Sequence, residues 1–331
     1  MKRKSTALFL GLLMMLCSIP VCAKTEEPVQ VTLNEVAHSI FYAPQYVAIE
    51  NGYFAEEGID LTLVTGFGAD KVMTAVISGE ADIGFMGAEA SIYAYQEGAN
   101  NPVINFAQLT QRAGNFLVAR EEMPDFQWED LKGAKVLGGR KGGMPEMVFE
   151  YILKQHGINP EKDLEIDQSI DFGSTAAAFS GGQGDFSVEF EPAATALEQE
   201  GAGYVVASLG VESGYVPYTS YSAKSSYIRD NPEILQKFTN ALQKGMDFVQ
   251  THSPEEIAAV IAPQFTETDA ETLTAIVTRY YEQYTWKENL IFQEESFELL
   301  QDILEDAGEL KERTEYAALV NTGFAEKAAE K

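Results

Sequence analysis

Between Val29 and Gly98 short runs of β-branched and aliphatic residues alternate with longer runs whose apolar positions recur at helical spacing. Val29–Val36, Ile59–Thr65 and Ala81–Met86 read as strands. Each switch into a helix is punctuated. Ala43-Pro44 places proline in the first turn of a helix that stops at Asn51-Gly52. The run Gly66-Phe67-Gly68-Ala69-Asp70 opens a second helix, and Gly87-Ala88-Glu89 opens a third. This grammar predicts an α/β fold with a largely parallel sheet. In such a sheet the loops leaving the strand carboxyl ends, with the helix N-termini that follow, converge on one rim where ligands bind. Tyr53, Phe54, Ile92, Tyr93 and Tyr95 read as packing residues.

Val103–Thr110 reads as a strand that carries the chain out of this first lobe, and Phe116–Ala119 begins a second set. A short turn at Trp128–Gly133 precedes a strand at Ala134–Gly138. The loop Gly139-Arg140-Lys141-Gly142-Gly143 then opens a helix from Pro145 to Gln155. A faint internal repeat links the halves. Ser78-Gly79-Glu80-Ala81-Asp82-Ile83 and the helix ending at Glu97-Gly98 match Ser180-Gly181, Asp185-Phe186 and the helix ending at Glu200-Gly201. Two similar lobes would set Gly87-Ala88-Glu89 opposite Phe190-Glu191-Pro192 across a cleft. Tyr215–Ser222 is strand-like and returns the chain to the first lobe. The expected division is therefore residues 24–112 plus 219–331 for lobe one and 113–218 for lobe two. From Asn231 onward four helices with acidic faces, Pro232–His252, Pro254–Ile261, Asp269–Tyr284 and Glu294–Ala307, read as packing and surface.

The start of the chain changes the picture of where it works. MKRK, the apolar run Ala7–Ile19 and then Pro20-Val21-Cys22-Ala23 read as a secretory signal cleaved after Ala23. The apolar run is shorter than the roughly twenty residues needed to span a bilayer. Both cysteines, Cys17 and Cys22, lie in this leader, so disulfides and cysteine-bound metals are excluded from the mature chain. Cys22 is an alternative lipid-attachment site, although Val21 before it is bulkier than a lipidation signal prefers. Cleavage takes three of the 23 basic residues and leaves 20 against 51 acidic ones, a net charge of −31. Nucleic acid is not a partner of such a surface, because neutralising phosphates needs a basic face.

Several chemistries lack their motifs. The run at Gly66–Asp70 has Asp70-Lys71 where a dinucleotide fingerprint needs its third glycine, and Met144-Pro145 stands where a phosphate-binding loop needs Lys-Ser or Lys-Thr. HExxH, CxxC and GxSxG are absent. Of the three histidines, His156 and His252 sit at expected helix C-termini, where a partly charged imidazole complements the helix dipole. Only His38 falls at the rim.

The run FYAPQYVAIENGYFAEEGIDLTLV followed by AVISGEADIGFMG resembles the solute-binding proteins of ABC importers for nitrate, sulfonate, taurine and thiamine-pyrimidine precursors. The resemblance covers most of the mature chain and weakens over the last hundred residues. It implies a two-lobed periplasmic-binding-protein-like fold of type II, with a ligand cleft between the lobes and extra C-terminal helices. It also implies a non-enzymatic, monomeric, cofactor-free protein outside the plasma membrane, docking to membrane permease subunits. The same resemblance reaches fungal pyrimidine synthases. Those carry a cysteine-rich motif, and the mature chain has no cysteine.

The rim residues are the candidate ligand-binding set. From lobe one these are His38, Phe41, Tyr42, Gly68, Asp70, Gly87 and Glu89; from lobe two, Arg140, Gly142, Met144, Ser174, Thr175, Glu189 and Glu191; from the crossings, Gln108 and Tyr218. Asp70, Glu89, Ser174, Thr175 and Glu191 also sit where helix capping alone would place them. No metal site is expected. The rim carries more acids than bases, which favours a small amino-bearing heteroaromatic such as a thiamine-pyrimidine precursor. Sulfonate, taurine or nitrate is the alternative, served by helix N-termini, Arg140 and Lys141.

Overall fold

The computed structural model describes residues 27–330. The leader, Ala23 and both cysteines lie outside them. Among the described residues ten strands form two five-stranded sheets. They are β1 Val29–Glu35, β2 Ile59–Thr65, β3 Ile83–Met86, β4 Val103–Thr110 and β5 Asn115–Ala119, then β6 Lys135–Leu137, β7 Glu165–Asp167, β8 Phe186–Phe190, β9 Tyr204–Ser208 and β10 Thr219–Lys224.

The first sheet has the order β2-β1-β3-β10-β4 and the second β7-β6-β8-β5-β9. In each, the central strand pairs parallel on one side and antiparallel on the other: β3 with β1 and β10, β8 with β6 and β5. The repeat read from the sequence thus corresponds to one topology built twice. The two sheets exchange chain through the crossings after β4 and before β10. The return strand starts at Thr219 rather than Tyr215, because Pro217 has no amide proton to give a ladder. Strands β7 and β9 were not anticipated. β7 has only three residues, with none of its positions fully buried.

Local chemistry sets the element ends. Helix Ala69–Ser78 buries Val72, Met73, Ala75 and Val76 on one face and stops at Gly79, whose φ of 85° is left-handed. Strand β3 is buried at all four positions, as expected of a central strand covered on both faces. The 20-residue helix Pro232–Thr251 packs against helix Ala43–Glu50. At Gly245 the backbones approach so closely that an added Cβ would lie 2.2 Å from the Pro44 carbonyl oxygen.

The C-terminal helices do more than pack and cover a surface, which corrects the expectation for them. Helix Ala270–Glu282 reaches the facing half: the Tyr280 hydroxyl donates to the Gly114 carbonyl at 2.8 Å, and Arg279 pairs with Glu191 at 2.5 Å. Trp286 donates its indole N–H to the Phe41 carbonyl at 2.9 Å. Farther along, Lys154 pairs with Asp306 and Lys141 with Glu309. These contacts were invisible in the sequence because an amphipathic pattern says which face is buried, not what buries it. Among the described residues no helix is long and apolar enough to cross a membrane.

Candidate functional site

The rim loops of both sheets close around a cavity of about 80 Å³. At about 30 Å³ of liquid volume per water, this is room for about two to three waters. Lobe one contributes Val36, Ala37, Tyr42, Gly68, Ala69, Gly87 and Glu89; the facing sheet contributes Gly139, Arg140, Gly143, Met144, Pro145 and Phe190; Tyr218 and Thr219 come from the return crossing. Most of this wall is apolar or aromatic.

Aromatic packing fixes the floor. Phe41 touches Tyr42, Phe190, Tyr218 and Tyr280 with ring centroids 5.1–5.6 Å apart. An added Cβ at Gly114 would come within 2.5 Å of the Phe41 ring. Phe41 therefore supports the lining rings from behind rather than lining the cavity. Tyr218 donates to Asn115 Oδ1 at 2.5 Å, which holds its ring in place. Burial raises the hydroxyl pKa of Tyr42 and Tyr218 well above the ordinary tyrosine value, so both stay neutral.

Glu89, at the start of helix Glu89–Gln96, is the carboxyl in the wall. It is 2% exposed, and its Oε2 has no hydrogen-bond partner among the described residues. Desolvation raises its pKa to about 7, against the opposing pull of its own amide, the Arg140 guanidinium and the Met144 amide. Gly87 makes room for it: a Cβ there would sit 2.0 Å from Oε2.

Arg140 lies over the rim, half exposed, 3.9 Å from Asp70 on the opposite half. At that separation and exposure the pair contributes little stability. The Arg140 loop is held from below by Glu146, which accepts from the Gly142 amide at 3.2 Å and from Gln168 at 2.5 Å. Burial and the neighbouring Glu150 raise the Glu146 pKa to about 8. Across the mouth, the Tyr93 hydroxyl donates to the Gly142 carbonyl at 3.1 Å. A surface groove between helices Ala69–Ser78 and Glu89–Gln96 shares Ala69, Glu89 and Arg140 with the cavity.

Of the sixteen candidates, Tyr42, Gly68, Gly87, Glu89, Arg140, Met144 and Tyr218 line this cavity. Asp70 and Gly142 flank its mouth through Arg140 and Tyr93. The others stand apart. His38 bridges Glu35, at 2.8 Å, and the Gln264 carbonyl, at 2.9 Å; the Glu35 bond raises its pKa. Glu189 is buried against the hydroxyls of Thr175 and Ser187, and desolvation raises it to about 7. Glu191 binds Arg279 and the Thr195 amide, while its carbonyl accepts from Ser39 at 2.7 Å. Gln108 donates to the Thr110 carbonyl within its own strand. Ser174 precedes the helix Thr175–Ser180 without lining the cavity. Phe190 and Pro145 were not among the candidates. Phe190 was legible in the repeat, which had already placed it opposite Gly87.

Known proteins carry the same architecture. The chain is 45% identical over 317 residues to "Putative binding protein YtlA" of Bacillus subtilis (strain 168), covering 96% of this chain and 95% of that one. It is 27% identical over 268 residues to the riboflavin-binding protein RibY of Chloroflexus aurantiacus, with 73% and 74% covered. Among solved structures, the alkanesulfonate-binding protein SsuA of Xanthomonas axonopodis pv. citri, bound to MOPS, superposes with a TM-score of 0.72 at 16% identity, covering 90% of this chain and all of that one. That likeness fixes the periplasmic-binding-protein fold. The NMT1/THI5-like family matches residues 40–257, from the first rim turn through the long helix after the return strand, and the chain belongs to that family.

Proposed function

We propose that this chain is the extracytoplasmic solute-binding subunit of an ABC importer and that its cavity captures a small amino-bearing heteroaromatic ring. Glu89 carries the reading: a buried carboxyl with a free oxygen in a cavity walled by Tyr42, Phe190 and Tyr218. An amino group on the ligand would satisfy that oxygen with a charge-assisted hydrogen bond. Sandwiching a flat ring would bury roughly 150–200 Å² of apolar surface, about 4–5 kcal/mol at ~25 cal/mol per Å². A micromolar complex needs about 8 kcal/mol in all. The likeness to SsuA and the placement of Arg140 beside the helix N-terminus at Met144 favour the second reading, a sulfonate, taurine or nitrate. That oxoanion would lie against Glu89, which would have to be protonated.

The test is a thermal-shift panel on the secreted, processed protein: 4-aminopyrimidines, riboflavin, taurine, alkyl sulfonates and nitrate. A ligand at a hundred times its Kd adds about 2.7 kcal/mol of stability. Stabilisation by aminopyrimidines supports the proposal, and stabilisation by sulfonates alone rejects it. Formation of a pyrimidine product on incubation with pyridoxal phosphate would instead mark the synthase chemistry of the fungal relatives.

A further inference from the structure

Resting on the heteroaromatic reading, we infer that Glu89 selects for a particular ring edge, a ring nitrogen next to an exocyclic amino group, and that the bound pair shares one proton. The geometry behind this is the buried, unpartnered Oε2 of a carboxyl that lines the cavity together with Tyr42, Phe190 and Tyr218. A carboxyl and an N–C–NH2 edge match at two points. With the proton on the carboxyl, its O–H donates to the ring nitrogen while the other oxygen accepts from the amino group. With the proton on the ring, the ring N–H and the amino group each donate to one carboxylate oxygen. No heavy atom moves between these two states, and the pair contains one acidic proton in both.

The groups facing Glu89 allow this. Arg140 approaches from the facing lobe with Asp70 beyond it, and Tyr42, Tyr93 and Tyr218 stand around it, all three held neutral by burial. The Met144 amide favours the charged form without ending the desolvation that keeps the carboxyl near pH 7. A neutral ligand needs the protonated carboxyl. Its affinity should fall about tenfold per pH unit above about pH 7, as that form is depleted. It should also fall below the ligand's own pKa, where ligand and carboxyl are both protonated and one proton must leave.

The test is titration calorimetry between about pH 6 and pH 9 with 4-amino-2-methylpyrimidine, its dimethylamino analogue and 2-methylpyrimidine. It uses the wild type, Glu89→Gln and Glu89→Ala, each first checked for an unchanged melting profile. The amino compound should bind at least tenfold tighter than either analogue. A glutamine amide can donate to the ring nitrogen and accept from the amino group, so Glu89→Gln should retain binding near neutral pH and lose the alkaline decline. Glu89→Ala should bind at least tenfold more weakly. Equal binding of the dimethylamino compound, or an alkaline decline that survives in Glu89→Gln, overturns the inference while leaving a heteroaromatic-binding protein. If no pyrimidine binds and a sulfonate does, the functional reading and the inference fall together.

Discussion

A buried carboxyl oxygen without a partner is costly, and the space that admits Oε2 of Glu89 depends on the hydrogen at Gly87. Gly87→Ala would place a methyl 2.0 Å from Oε2 and force the carboxyl to turn. Its ligand affinity should drop at least tenfold, read by calorimetry, with a smaller change in melting temperature. Glu189 gives a cleaner stability test because it lies outside the cavity. Its folded pKa of about 7 stands above the ordinary 4.5. The folded state therefore binds more protons between those values, and the stability this group contributes is present below about pH 4.5 and lost as pH rises through about 7. The shift is worth on the order of 3 kcal/mol at 1.36 kcal/mol per pKa unit. Glu189→Gln should be near neutral at pH 5 and should raise stability at pH 8; equal effects at both, measured by urea unfolding, would contradict the assignment. Glu89 was legible in the sequence because a strand, a tight glycine turn and a helix start leave little doubt where the first helical residue sits. Glu189 and Glu191 were not. Strand β8 alternates faces at each residue, so Phe190 reaches the cavity while its two acidic neighbours turn elsewhere, and nothing in the sequence fixes that parity.

Among the elements, the long helix Pro232–Thr251 and the helix Ala43–Glu50 meet at Gly245, where the close approach to Pro44 leaves no room for a side chain. Gly245→Ala should destabilise the protein by about 1–3 kcal/mol through overpacking, despite the better helix propensity of alanine; a stabilised variant in chemical denaturation would refute the contact. Helix Ala270–Glu282 touches the facing half through Arg279, whose guanidinium opposes the desolvation of Glu191. Arg279→Met leaves that carboxylate buried with the Thr195 amide but without its counter-charge, and because the arginine is partly exposed the expected loss is about 2 kcal/mol rather than the roughly 3–5 of a fully buried pair. Long periodic elements were readable from pattern alone, and the starts at Pro44, Pro232 and Pro254 fell where expected. Short strands such as β7 carry too few residues to show a period. The part the C-terminal helices play in joining the halves lies in Tyr280, Trp286 and Arg279, whose partners are more than eighty residues away in the chain.

At the scale of the molecule, two sheets of one topology face each other, and side chains of each half reach the other. Tyr93 to Gly142 and Asp70 to Arg140 lie on the cavity side; Ser39 to Glu191 and Tyr280 to Gly114 lie near the crossings. The repeat in the sequence foretold the pairing of lobes because each half reuses one strand and helix. It could not foretell which side chains meet between them, because partners such as Tyr93 and Gly142 are far apart in the chain. Such a molecule is expected to hinge about residues 110–114 and 215–222. A ligand that touches both halves binds the closed form better and shifts the population by that difference alone. Small-angle scattering should therefore show a smaller radius of gyration at saturating ligand than without it. Tyr93→Phe removes one neutral hydrogen bond between the halves, which hinge opening would break, worth about 0.5–1.5 kcal/mol. It should favour the open form by roughly 2- to 13-fold and weaken ligand binding by at most that factor, with the ligand-saturated radius unchanged. If the radius does not respond to ligand in either protein, the lobes do not hinge, and the affinity of Tyr93→Phe should then equal that of the wild type.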